Sequence, residues 1–147
     1  MPDVPEDIIY QPLVTYAPAL IVPTDHPLAR KKRVKLEEIS QYALILPPPN
    51  LATWRLVDMV FRQHDLTLKC GMEAGGWEVI KKYVEMGMGL SIVTDVCLTG
   101  KEHLVKFSLE KYFPKRTYGI VLRRGKYLSP QAAMFLEILH DHYPTGM

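Results

Sequence analysis

The sequence predicts an α/β domain built around a βαβαβ unit, and three observations carry the prediction. From Ala43 onward, short apolar runs alternate with longer stretches whose apolar residues recur at helical spacing, the pattern of a parallel sheet with covering helices. Turn-forming segments, Pro47-Pro48-Pro49-Asn50 and Glu73-Ala74-Gly75-Gly76, fall where each strand hands over to a helix. The 147 residues are 48% hydrophobic and 23% charged, and a chain of that size hides roughly 68–70% of its unfolded surface, so a core forms without disulfides or metal.

Each element has its own warrant. The acidic, proline-bearing start, Met1 to Asp7, reads as a loop. Between Ile8 and Pro23 a strand is centred on Leu20-Ile21-Val22, ended by the turn Pro23-Thr24-Asp25-His26-Pro27. Ala43-Leu44-Ile45-Leu46 is a buried strand, stopped by prolines that cannot donate to a sheet. A helix then starts near Thr53, placed as N-cap, with Trp54, Val57, Val60 and Phe61 on its apolar face. Leu66-Thr67-Leu68-Lys69-Cys70 alternates as a strand. In the next helix Trp77, Ile80, Val84 and Met88 share a face, Lys81, Lys82 and Glu85 point outward, and Gly87 ends it. Leu90 to Val93 completes the unit. A short helical piece at Asp95 to Leu98 and strands at Leu104 to Ser108 and Tyr118 to Leu122 follow. The last helix has Ser129 as N-cap, Pro130 at its first position, an apolar stripe of Ala132, Phe135, Leu136, Leu139 and Tyr143, and a stop at Pro144 and Gly146.

Composition excludes several classes of function. No apolar run approaches the roughly 18 residues of a membrane span. A net charge of +2 is too mild for a nucleic-acid surface. The basic run Arg30 to Arg33 with Lys35 is answered by Glu37 and Glu38, and reads as a solvated face with a phosphate or partner contact as the alternative. Cys70 and Cys97 sit in no metal or redox spacing and read as small buried hydrophobes, which fits a reducing cytosolic address. The five histidines form no nucleophile or metal signature, so neither an enzyme nor a cofactor is expected.

Chemistry is expected where strands hand over to helices, since ligands of open parallel sheets bind beyond the strands' carboxyl ends. The loops Pro48 to Thr53 and Glu73 to Gly76 each present a helix N-terminus, which favours a bound anion by ~0.3–1 kcal/mol. Glu73 opposes an anion there unless Arg55 or a ligand ammonium answers it, so a small acid, an oxyanion or a zwitterion fits. Trp54 and Trp77 read as core packing, with a pocket floor as the alternative.

Several stretches, in order, resemble the effector-binding domain of LysR-type transcriptional regulators. They are Ala19-Leu20-Ile21-Val22-Pro23-Thr24-Asp25-His26-Pro27-Leu28-Ala29, Leu36 to Ile39 with Tyr42 to Leu46, Val84 to Val93, and Tyr118 to Arg124 with Leu128 to Phe135. The flavour is that of the cysteine-biosynthesis regulator branch. The resemblance implies a type II periplasmic-binding-protein-like fold, with one complete βαβαβ subdomain and a partial second. It divides the chain into residues 1–11 as a linker or boundary segment, 12–143 as the C-terminal part of the effector domain, and 144–147 as a tail. Within that part, 12–35 and 116–143 are the remnant of subdomain I, and 36–115 are subdomain II.

By position, the resemblance implies an effector site drawing on Tyr16, Asn50, Ala52, Thr53, Ala74, Gly75, Gly76 and Thr94, with no cofactor and no metal. Thr94 stands where the family commonly has proline. The implied function is metabolite sensing for a DNA-binding regulator whose helix-turn-helix and first effector-domain elements are not in this sequence. Contact with DNA would run only through that other domain. The remnant subdomain is expected to expose apolar surface and to pair as a homodimer. A standalone solute-binding protein of the same fold is the competing reading.

Overall fold

Strand β2 (Pro18–Pro23) organises the larger part of the molecule, because all six of its residues are buried and it is paired on both sides. In this computed structural model, which describes residues 4–143, the chain forms two units. One is Ala17–Lys115 and the other is Met1–Tyr16 with Arg116–Met147.

In the larger unit β2 runs antiparallel to both β5 (Ser91–Thr94) and β6 (Leu104–Ser108), in the order β5-β2-β6. Strand β3 (Leu44–Leu46) pairs in parallel with β4 (Cys70–Glu73). A parallel bridge between Leu44 and Leu90 sets β3 beside β5, reinforced by the Ile45 N–H donating to the Leu90 carbonyl at 2.8 Å. The buried Ser91 hydroxyl donates to the Ile45 carbonyl at 2.6 Å across the same seam. Helices α1 (Leu36–Ile39), α2 (Ala52–Gln63) and α3 (Trp77–Glu85) belong to this unit.

Two cores result. Leu20, Val22, Leu36, Ile39, Leu46, Val57, Val60, Phe61, Ile92 and Phe113 belong to one, and Ile21, Ile45, Ala74, Ile80, Val84 and Val93 to the other. Alternation along β2 sends Leu20 and Val22 to the first core and Ile21 to the second, as the period of two requires.

The smaller unit is an antiparallel ribbon of β1 (Ile8–Tyr16) and β7 (Arg116–Arg123), with a bulge between Pro12 and Val14, and helix α4 (Pro130–His142). Ser129 caps α4 through the Ala132 N–H at 3.1 Å with Pro130 in the first turn, as the sequence predicts. A hydrogen bond of 3.2 Å between the His140 ring and the Gln11 side chain ties α4 to β1.

The structure corrects several sequence readings. Ile8 to Gln11, read as linker, are part of β1, and the units divide after Tyr16 and Lys115, so the strand near Leu20 belongs with residues 36–115. Helix α2 begins at Ala52 with Leu51 as its N-cap, placing Thr53 inside the first turn instead of before it. The strand expected at Leu66 to Cys70 lies at Cys70–Glu73, while Leu66 and Leu68 pack against the core without joining a ladder. Lys81 is buried, whereas Met88 and Phe135, read as core-facing, are exposed. Cys70 is exposed and Cys97 half-buried. The first three residues and the predicted stop at Pro144 and Gly146 lie outside the described residues.

Candidate functional site

Adjacent parallel strands bring two helix starts together at one edge of the larger unit. Leu46 pairs with Glu73, and the Ala74 N–H donates to the Leu46 carbonyl at 3.0 Å, so the loops that follow β3 and β4 leave the sheet side by side. After β3 the chain turns through the Leu51 N–H to the Pro48 carbonyl, 3.0 Å, and enters α2. After β4 it enters α3 at Gly76, whose φ of +93° favours a residue without a side chain. Neither Leu51 nor Gly76 supplies a side-chain cap to the first-turn N–H groups. The first-turn N–H groups of both helices thus take no bond from an N-cap side chain, and the positive ends of the two helix dipoles face this edge.

Thr94 ends β5 at the same edge, 3% exposed, where β5 hands over to a short 3-10 turn, Asp95–Cys97. That corner is fixed by reciprocal bonds. Asp95 donates its N–H to the Ala17 carbonyl at 2.9 Å and accepts from the Ala17 N–H at 3.1 Å. Asn50, Ala52 and Gly75 are exposed, Ala74 is buried, and a Cβ at Gly75 would meet nothing within 4 Å. The structure thus brings Asn50, Ala52, Thr53, Ala74, Gly75, Gly76 and Thr94 to one sheet edge. Tyr16 lies in the other unit, at the end of β1, with its ring edge-on to Tyr118 at 5.7 Å. Glu73 is exposed. Trp54 and Trp77 each pack against a core, as the packing reading predicts.

Sequence reasoning missed the group that braces this edge from behind. The Lys81 ammonium donates to the Cys97 carbonyl at 2.6 Å and to Glu102 at 3.0 Å, and pairs with Glu78 at 2.9 Å. Burial alone would lower the Lys81 pKa, but its hydrogen bonds to the Glu78 and Glu102 carboxylates outweigh it and leave it above the ordinary lysine value. Glu102 is held down to about 2, chiefly by the Thr99 N–H. This cluster ties α3, which follows the Gly75-Gly76 loop, to the segment that follows Thr94. Its only sequence signal is the spacing of Glu78 and Lys81 on one helix face, which any solvated helix also shows.

His26 uses Nδ1 to accept the Leu28 N–H at 3.1 Å and stacks edge-on against Tyr42, and burial pushes the Cys97 thiol pKa up. No group of three metal-ligating side chains occurs among the described residues, and no helix among them is long and apolar enough to cross a membrane.

Comparison with known proteins agrees with this architecture. Residues 1–144 match the family described as the LysR substrate binding domain. A RuBisCO operon transcriptional regulator of Allochromatium vinosum is 30% identical over 123 residues, 82% of this chain and 41% of the relative. The HTH-type transcriptional regulator CysB of Burkholderia cenocepacia is 28% identical over 136 residues, 91% of this chain and 44% of the relative. The chain therefore spans less than half the length of these curated relatives.

Among solved structures, the regulatory domain of Synechocystis CcmR in complex with 2-PG matches with a TM-score of 0.81 and 26% identity, over 97% of this chain and 71% of that one. The effector-binding domain of QuiR in complex with shikimate matches with a TM-score of 0.80 over 97% of this chain and 68% of that one, a likeness of fold at 19% identity. The expected periplasmic-binding-protein-like α/β fold is the one these domains share. By the family match and the fold together, the chain belongs to the LysR substrate-binding domain family.

Proposed function

We propose that this chain is the metabolite-sensing regulatory domain of a LysR-type DNA-binding transcriptional regulator, and that its effector is a small acid, oxyanion or zwitterion. The observation that carries the reading is the pair of helix starts without side-chain caps at the ends of adjacent strands β3 and β4. Asn50, Ala52, Thr53, Ala74, Gly75, Gly76 and Thr94 form the larger unit's share of the effector site. Support also comes from relatives with bound small molecules, CcmR with 2-PG and QuiR with shikimate.

In this reading the domain performs no covalent chemistry. It works in the cytoplasm, through the difference in affinity that an effector has for alternative arrangements of the regulator. DNA recognition falls to a helix-turn-helix segment outside this sequence, and two copies associate as a homodimer.

Gly75 provides a clean test, because a side chain there enters open space. Gly75→Asp sets a carboxylate beside the α3 start, which leaves folding intact and repels an anionic effector. Native mass spectrometry of the purified chain, followed by titration with a panel of small carboxylic acids, identifies a binder. Calorimetry on Gly75→Asp then shows at least tenfold weaker binding with an unchanged melting temperature. Unchanged affinity would remove this edge from the site.

A further inference from the structure

The basic run before α1, a motif the effector site does not use, lines a cavity of its own. Lys32, Arg33 and Lys35 meet Lys111 around a concavity of about 460 Å³. Val34, Phe107 and Tyr112 form its apolar floor, with Ser108 beside them. No carboxylate lines it. Lys32, Arg33 and Lys111 make no ion pair among the described residues. Lys35 shares Glu38 with Lys31, its backbone N–H donating to that carboxylate at 2.8 Å. Glu110, the acidic residue nearest in sequence to Lys111, faces Lys115 at 3.7 Å instead. The Lys111 ammonium lies 5.6 Å from the centre of the Tyr112 ring, a cation–π contact that holds it at the cavity.

This cavity stands apart from the effector edge. Ser108 pairs with Ala19 at the end of β6, the outermost strand of the β5-β2-β6 sheet, while β3 lies beyond β5 on the other side. At roughly 4.8 Å per strand the end of β6 is about 14 Å from the end of β3 and about 10 Å from the end of β5, where Thr94 lies. The two sites share no residue.

Unneutralised cations around one concavity repel each other unless a ligand answers them, and they include a guanidinium fork that matches phosphate oxygens. The volume is that of a small-molecule pocket. A duplex backbone needs an extended basic stripe, whereas these four cations gather around one concavity. We propose that this cavity is a second ligand site, for a small molecule carrying two or more phosphate groups.

Calorimetry on the full chain with inorganic pyrophosphate and tripolyphosphate tests it. Both probes bind at one molecule per chain, tripolyphosphate more tightly, and affinity falls as salt is raised. Lys32→Glu with Lys111→Glu weakens both at least tenfold. Lys82→Glu with Lys101→Glu, at the mixed-charge surface beside α3, changes affinity less than twofold. If the first pair compromises folding, as judged by thermal melting, Lys111→Gln alone must still weaken tripolyphosphate several-fold. Absence of binding, equal loss in the two charge-reversed pairs, or a short DNA duplex that outcompetes tripolyphosphate through these same residues would each overturn the proposal.

Discussion

In the larger unit β2 has no exposed residue and two cores meet at its faces, whereas in the smaller unit Ile120 is the one buried apolar side chain among the described residues. Helix α4 buries no residue, and Met134, Phe135 and Ile138 are 63%, 60% and 62% exposed. One unit is held by interior packing and the other by a two-stranded ladder with a helix tied to it by polar contact. Isolated two-stranded ribbons are marginal in water. Cooperative stability therefore resides in residues 17–115, where the candidate site sits.

Truncation at the densest point gives the largest contrast. Phe61 is fully buried beside Val57 and Val60, so Phe61→Ala should cost about 3–5 kcal/mol in urea unfolding. A loss below about 1 kcal/mol would mean that the larger unit is not the stable one.

The ribbon has one tight place of its own. A Cβ at Gly119 would lie 2.4 Å from the Gln11 carbonyl oxygen and 2.8 Å from the Tyr10 ring, beside the bulge. Gly119→Ala should cost about 1–3 kcal/mol as β1 and β7 are forced apart. Hydrogen exchange should accelerate across Ile8–Tyr16 and leave α2 unchanged, and uniform acceleration would join the two units into one cooperative block.

Acid distinguishes the units more gently. Burial lowers the His26 pKa below 6.5, partly offset by Asp25. The unfolded chain then binds the proton more readily, so this contribution is fully present above pH 6.5 and is lost as pH falls from there through the lower folded-state pKa. His26→Asn keeps a side-chain acceptor for the Leu28 N–H and should flatten the fall in melting temperature between about pH 7 and pH 5.5. Glu102, held at about 2, stabilises the fold above its ordinary 4.5 and loses that effect as pH drops towards 2, a step that Glu102→Gln should abolish.

At the small end, Ile138→Ser on the open face of α4 should change the stability of the monomer by no more than about 0.5 kcal/mol. A larger loss that depends on protein concentration would show that this face is covered by another copy.

Much of the larger unit was legible because its signals are local. The proline triplet, the helical spacing of Val57, Val60 and Phe61, and the apolar runs ending at Leu46 and Val93 each declare themselves within a few residues. β4 was misplaced because three of its four residues are exposed, so it carries no alternation. What selects Cys70–Glu73 is pairing with β3, and at Gly71 a Cβ would come within 2.8 Å of the Ala43 Cβ. β1 was obscured by Pro12 and by its partner's distance in sequence, since Ile8 pairs with Arg123. The site's loops were legible and the helix start was not, because a cap is set by backbone geometry and Leu51 is no capping residue. Lys81 was read as solvated because its partners at Cys97 and Glu102 arrive by tertiary folding.

The central place of β2 also constrains how the chain is made. It pairs with β5 and β6, both synthesised much later, and at about 5–20 residues per second this wholly apolar segment waits several seconds for its neighbours. Pro18 and Pro23 bracket it, and neither has an N–H to extend a ladder. A wrong strand that docks on Ala19 to Val22 meanwhile finds few backbone donors at either end. The strand thus leaves the ribosome with a donor missing at each end, which weakens a wrong pairing while its own partners are still to be made.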